Sequence, residues 1–75
     1  MEYVVVTYAT ERNVRVDSQV AGKTNDTLMV DRGHHVFDLG EPRDYQPPSV
    51  ERDVQNTTAV SPLVISAFHP SGGVA

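Results

Sequence analysis

The sequence predicts a small all-β domain, and three observations support this. Valine is abundant, whereas the helix formers leucine, alanine and lysine are sparse, and β-branched side chains favour a pleated surface. Short β-forming runs are separated by Gly, Pro, Asn and Asp, with a turn signal about every 8–12 residues. No window of about eleven residues carries an uninterrupted helical repeat of apolar positions. The pattern favours a small antiparallel β-sandwich, Ig-like or prealbumin-like, of about five to seven short strands.

The first predicted strand spans residues 2–9. Alternation divides its side chains between two faces, with Tyr3, Val5 and Thr7 on one and Val4, Val6 and Tyr8 on the other. A strand that is apolar on both faces is either buried on two sides or paired with another chain. Because an unpaired edge of this kind would template aggregation, we expect a protein partner here. The predicted interaction surface consists of Tyr3, Val5, Tyr8 and Tyr45.

Turn-forming residues place the following strands. Polar residues 10–13 predict a hairpin turn, and residues 14–17 a second strand that continues raggedly to a bend or bulge at Gly22. Asn25 and Asp26 form a turn before a strand at 27–30. Residues 31–33 predict a tight turn with positive φ at Gly33, which completes a hairpin with a strand at 34–39.

Prolines dominate the next segment. Residues 40–48 contain Pro42, Pro47 and Pro48, and proline has no N–H for a sheet ladder, so a surface loop is expected. Tyr45 in this loop is expected to fold back over the core. A weak strand at 50–54, a turn at 56–58 and a closing strand at 63–68 follow. Residues 1–70 therefore form one domain, and residues 71–75 a flexible tail.

Composition excludes several functions. The 75-residue chain has no cysteine, which removes disulfides, cysteine zinc sites and thiol chemistry. Its net charge is −4 and its six Lys and Arg residues are scattered singly, so nucleic-acid binding is not expected. No apolar run approaches the roughly 20 residues of a membrane-spanning helix. Without a visible leader we expect a cytoplasmic protein if the chain is full length, whereas for a domain of a longer protein the compartment is open.

Several short segments carry a family resemblance. They are Val14-Arg15-Val16-Asp17, Ala21-Gly22-Lys23-Thr24, Leu28-x-Val30, Gly33-His34-His35-Val36-Phe37, Asp44-Tyr45 and Leu63-Val64-Ile65. In this order they resemble the PEGA-type repeat, a small β-sandwich module found mostly in bacterial and archaeal surface and regulatory proteins. The namesake Pro-Glu-Gly-Ala segment is absent, and Asn25 and Asp44 replace the usual proline and glycine. The resemblance implies a sandwich fold and a modular habit, not an activity.

The pair His34-His35 is the most conspicuous candidate for chemistry, with Asp38 and His69 as possible further metal ligands. Successive strand side chains point to opposite faces, and four residues along a strand span roughly 13 Å. One ion therefore cannot bind His34, His35 and Asp38 together, and we predict ordinary strand histidines and no cofactor. We also predict no enzyme, because neither a Gly-x-Ser-x-Gly elbow nor a glycine-rich phosphate loop is present.

Two functions stay open. We favour a non-enzymatic module for protein–protein contact, with homodimerisation as one form of it. The alternative is a small ligand-binding domain, which takes carbohydrate at the Tyr45 loop or a metal at His34 and His35.

Overall fold

The computed structural model describes residues 1–41 and 43–70, so the predicted tail at 71–75 lies outside the described residues. Within these ranges the chain is all-β. Its strands are β1 Glu2–Val6, β2 Asn13–Val16, β3 Gln19–Lys23, β4 Thr27–Val30, β5 Gly33–Asp38, β6 Tyr45–Gln46, β7 Val50–Val54, β8 Leu63–Ile65 and β9 His69–Pro70. No helix in this part of the chain is long and apolar enough to cross a membrane.

The strands form three sheets and confirm the predicted fold class, a small β-sandwich. A three-stranded sheet has the order β4-β1-β8, and a four-stranded sheet the order β3-β2-β5-β7. The two-residue strands β6 and β9 form the third sheet, and they raise the strand number above the expected one. Most pairs are antiparallel, but β1 and β8 run parallel.

The core lies between the two larger sheets. The alternation in β4 is typical of its strands, since Leu28 and Val30 are buried and Thr27 and Met29 are exposed. The buried apolar residues are Val4, Val6, Val14, Leu28, Val30, Phe37, Leu39, Tyr45, Val50, Val54, Ile65 and Phe68. They come from the two larger sheets, from Tyr45 of β6, and from Leu39 and Phe68 outside the strands, so each of the larger sheets buries one face.

Strand β1 is the central strand of its sheet. The expectation that this N-terminal strand has a free edge is therefore wrong. It pairs with β4 on one side and with β8 on the other. Val4 and Val6 are fully buried, whereas Tyr3 and Val5 on the opposite face are half-buried. Its two apolar faces therefore do not indicate an unpaired strand, and the edge-based reason for a homodimer is removed.

Two predicted hairpins are instead crossings between sheets. Residues 10–13 lead from β1 in the three-stranded sheet to β2 in the four-stranded sheet, and residues 31–33 lead from β4 to β5 in the same direction. The buried Thr24 hydroxyl stabilises the first crossing, since it accepts from the Arg12 N–H at 2.9 Å and donates to the Thr10 carbonyl at 2.8 Å. Gly33 has the predicted positive φ, 136°.

A hairpin that the sequence reading missed joins β2 to β3. Asp17 and Ser18 have φ of 52° and 72°, as in the two-residue turns that match strand twist. Val14 pairs with Gly22 and Arg15 with Val20, so Ala21 is an extra residue on β3. This confirms a bulge beside Gly22. Gly22 is also a close approach between sheets, because an added Cβ would overlap the Leu28 Cδ2 atom.

The second half of the chain matches its predictions more closely. Strand β7 has the predicted bounds, whereas β8 is shorter than the predicted 63–68. At the turn expected at 56–58, Asn56 has a positive φ of 61°, and the bridge partners Thr58 and Ser61 close a further turn directly after it. Tyr45 is buried, as expected of a residue that caps the core, and its strand pairs with β9.

Candidate functional site

Exposed apolar side chains converge on one groove. Among residues 1–41 and 43–70 the large exposed apolar side chains are Met1, Val20, Met29, Val60 and Val64. The first three, exposed by 71%, 63% and 62%, line an open groove of about 260 Å³. Its remaining lining residues are Val16, Gln19, Ala21, Val30, Asp31 and His35. A concentration of exposed apolar surface at one concavity is typical of an interaction site.

The groove lies where the two larger sheets separate. Strands β3 and β4 follow one another in the chain, and each is an edge strand of a different sheet. The sheets meet where Leu28 packs against Gly22. Farther along, Val20 of β3 and Met29 of β4 line the opening. The groove therefore lies beside the close contact at Gly22, toward the start of β3 and the end of β4.

The outer face of the three-stranded sheet continues this apolar surface. Tyr3 lies opposite Met29, and Val5 lies opposite both Thr27 and Val64. Directly opposite residues share a face, so these five side chains form one uncharged outer face. Antiparallel sheets usually expose a polar outer face, so an uncharged outer face is unusual. We call this face and the groove together the β4 surface, because Met29 of β4 belongs to both.

Carboxylates flank the β4 surface. Asp26 immediately precedes β4 and Asp31 immediately follows it, and both are exposed. Between them the strand is uncharged. The free edge of β4 therefore presents a short uncharged segment with a carboxylate at each end, and the exposed Arg32 follows Asp31.

His35 forms part of the groove wall and bridges two turns. Its Nδ1 lies 2.6 Å from Asp17 Oδ2, and its Nε2 lies 2.6 Å from the Asp31 carbonyl oxygen. The hydrogen bond to Asp17 is the largest cause that raises the pKa of His35 above its ordinary 6.5. The Val36 N–H donates to Asp17 Oδ1 at 3.0 Å, and this bond, followed by that to His35, lowers the pKa of Asp17.

His34 lies on the opposite face of β5, as strand alternation predicts. Its Nδ1 is 2.9 Å from Asp53 Oδ1 and its Nε2 is 3.1 Å from Glu51 Oε1. These two hydrogen bonds, that to Asp53 first, raise the pKa of His34. His69, the possible cross-strand ligand, pairs with Gln46 and not with either histidine. In the part of the chain that the structure describes, no group of three or more His, Asp or Glu side chains is arranged to hold a metal ion.

The predicted interaction residues do not form one surface. Tyr3 and Val5 lie on the outer face of the three-stranded sheet, beside Met29 and Val64. Tyr45, in contrast, is only 4% exposed, as its predicted role in capping the core requires, and it does not belong to an exposed interaction surface. Sequence reasoning missed Met29, although an outward-facing methionine between the inward-facing Leu28 and Val30 was an available signal.

The core explains the burial of Tyr45. Its ring packs edge-on against Phe68 at 5.7 Å, and the Arg12 guanidinium lies 4.9 Å from its centroid. Its hydroxyl accepts a hydrogen bond from the Leu39 N–H at 3.2 Å. Arg12 also lies 5.7 Å from the ring of Tyr8, which packs against the core. The two tyrosines thus enclose a cation of the chain itself and leave no open ring face at Tyr45 for a sugar.

Comparison with protein-family models, with curated proteins and with solved structures finds no match. The resemblance to PEGA-type repeats therefore stays a prediction that depends on the segments quoted above.

Proposed function

We propose that this chain is a non-enzymatic β-sandwich module that binds an extended segment of a protein partner along the free edge of β4. The observation that carries the proposal is the clustering of Met1, Val20 and Met29 at a groove beside that edge. Addition of a strand to a free sheet edge is a common way to bind an extended peptide, with backbone hydrogen bonds for affinity and alternate side chains for specificity.

The two parts of the β4 surface suit the two faces of an added strand. Side chains of such a strand alternate between faces. One set would enter the groove between Val20 and Val30, and the other would extend the outer face beside Met29. Apolar side chains fit both positions, because burial of apolar surface contributes about 25 cal/mol per Å².

The carboxylates beside β4 favour a basic residue at each end of the partner segment. Asp26 and Asp31 bracket the strand, and the whole chain has a net charge of −4. A segment with Lys or Arg at each end and four mainly apolar residues between them complements this pattern. Complementary charges increase the rate of association and suppress wrong partners.

A second copy of the chain fits the surface less well. Antiparallel pairing of two β4 strands about their midpoint would bring Asp26 of one copy opposite Asp31 of the other, and like charges directly opposite each other are destabilising. The outer face is also small, since three strands of three to five residues cover roughly 190 Å². A stable dimer buries about 800 Å² per partner, so a peptide-sized partner is the better match.

Binding of two synthetic peptides tests the proposal. The first is Lys-Val-Val-Thr-Val-Lys with blocked ends, and the control replaces both lysines with glutamate. We expect the lysine peptide to bind about tenfold or more tightly and to shift NMR signals of residues 19–21 and 27–30. Met29→Glu should abolish these shifts, whereas Val60→Glu, an equally polar change on an exposed valine outside the groove, should leave them unchanged.

Three results with the peptides would overturn the proposal. They are failure of the lysine peptide to bind, equal binding of the two peptides, and shifts centred on β8 instead of β4. A further one is a stable dimer in sedimentation that Met29→Glu dissociates, because the occupant would then be a second copy.

A further inference from the structure

We propose that protonation of His35 holds the groove in its binding form, so that the partner segment binds more tightly below the pKa of His35 than above it. This inference rests on the proposed function. It concerns a histidine that lines the groove and contacts the segments at the ends of both flanking strands.

The hydrogen-bond geometry requires the charged form of the ring. A carbonyl oxygen and an ionised carboxylate are both acceptors without a proton. The Asp31 carbonyl and the Asp17 carboxylate each lie 2.6 Å from a ring nitrogen of His35. Both nitrogens must therefore donate, which only the imidazolium can do. A neutral ring would place a lone pair against one of the two oxygens.

The bridge connects the two sides of the groove. Asp17 belongs to the turn between β2 and β3, and Asp31 follows β4 directly. When His35 loses a proton, one of its two contacts becomes repulsive and the corresponding segment is released. The distance between Val20 and Met29 is then no longer held, and an added strand loses its preformed site.

Other charged groups near His35 do not form a bridge between these two segments in its place. Arg52 lies opposite it on β7, but its guanidinium donates to the Glu51 carbonyl. Asp31 lines the groove as well, and its carboxylate, like that of Asp17, favours the charged ring. The positive charge of His35 is itself neutralised by Asp17 at 2.6 Å, so its repulsion of a basic segment is small. The raised pKa of His35 agrees with an imidazolium in this position.

The test measures affinity for the lysine peptide between about pH 5.5 and pH 8.5, a range centred near the ordinary histidine pKa. Wild type should bind about fivefold or more weakly at the upper end. His35→Gln should remove the pH dependence, because glutamine does not titrate. The matched control His34→Gln removes the neighbouring histidine on the opposite face and should retain the dependence.

A second measurement on the free protein separates this inference from the proposed function. Hydrogen exchange of the β3 and β4 amides, corrected for the intrinsic effect of pH, should accelerate as His35 deprotonates, and His35→Gln should abolish this step. If the peptide binds equally at all pH values and exchange shows no step, the switch is wrong and the binding function stands. If the peptide fails to bind at any pH, the function is wrong, and the exchange step alone decides whether His35 controls the groove.

Discussion

At the level of single residues, His34 and His35 show what a sequence pattern determines and what it leaves open. Alternation predicts that they point to opposite faces, and they do. It does not predict their partners, because those depend on strand register. Asp53 lies directly opposite His34, and Asp17 reaches His35 only because β2 pairs with β5.

Gly22 has a specific steric role, and its replacement gives the first prediction. Gly22→Ala should destabilise the fold by about 1–3 kcal/mol, as an oversized core residue does, because the new Cβ overlaps the Leu28 side chain. Denaturant titration in the Leu28→Ala background checks the cause. There the same substitution should cost less, since the overlapping atoms are gone.

Gly33 is the matched control for Gly22. Its φ is 136° and an added Cβ meets nothing within 4 Å, so Gly33→Ala should cost free energy through backbone strain alone. That cost should be the same with and without Leu28→Ala. Equal costs of Gly22→Ala in the two backgrounds would contradict the steric explanation.

At the level of elements, strand positions were more predictable than strand pairings. The patterns at 27–30 and 50–54 match β4 and β7 in their bounds. The predicted hairpins at 10–13 and 31–33 were wrong, because local turn residues do not specify which sheet the next strand joins. The parallel pairing of β1 with β8 connects distant parts of the chain, and no short-range signal marks it.

The crossing from β1 to β2 depends on a buried hydroxyl, which gives a second prediction. Thr24 is 1% exposed and satisfies both the Arg12 N–H and the Thr10 carbonyl. Thr24→Val keeps the shape but removes the hydroxyl that both groups contact, so we expect a loss of about 1–3 kcal/mol in the free energy of unfolding. Urea titration would measure it.

Two substitutions control for this effect. Thr24→Ser retains the hydroxyl and should cost clearly less than Thr24→Val. Thr27→Val makes the same chemical change at an exposed outward position and should stay within about 0.5 kcal/mol of wild type. A Thr24→Val protein as stable as the Thr27→Val protein would mean that the hydroxyl does not stabilise the crossing.

At the level of the whole molecule, the shifted pKa values of a few side chains predict a pH range in which the free energy of unfolding is highest. The pKa of His34 and of His35 is raised above 6.5 in the folded state. Their stabilisation is therefore complete below pH 6.5 and is lost as the pH rises through the folded values. The hydrogen bonds that Thr57 donates lower the pKa of Glu2 below 4.5, and its stabilisation is lost as the pH falls through the lowered value.

The urea midpoint should accordingly be highest between about pH 4.5 and pH 6.5. It should fall on the acidic side as Glu2 and Asp17 become protonated, and on the alkaline side as the histidines lose their protons. The double substitution of His34 and His35 by glutamine should flatten the alkaline side. It should also weaken the part of the acidic decline that is due to Asp17, because the hydrogen bond to His35 helps to lower the pKa of Asp17, and it should leave the part that is due to Glu2. An unaltered alkaline decline in this variant would show that other groups cause it.

The apolar face of the three-stranded sheet relates the fold to the proposed function. Alternation predicted that Tyr3 and Val5 share a face, but only the sheet order places Met29 and Val64 beside them. The groove was not predictable from sequence, because it forms between edge strands of two different sheets.

The central claim is that a partner segment adds to the free edge of β4. Residue-resolved hydrogen exchange, with and without the lysine peptide, tests it most directly. We predict that binding protects the outward amides within Thr27–Val30 and leaves the amides of β8, the opposite edge of the same sheet, unchanged. Protection confined to β8, or no added protection at saturating peptide, would contradict the claim.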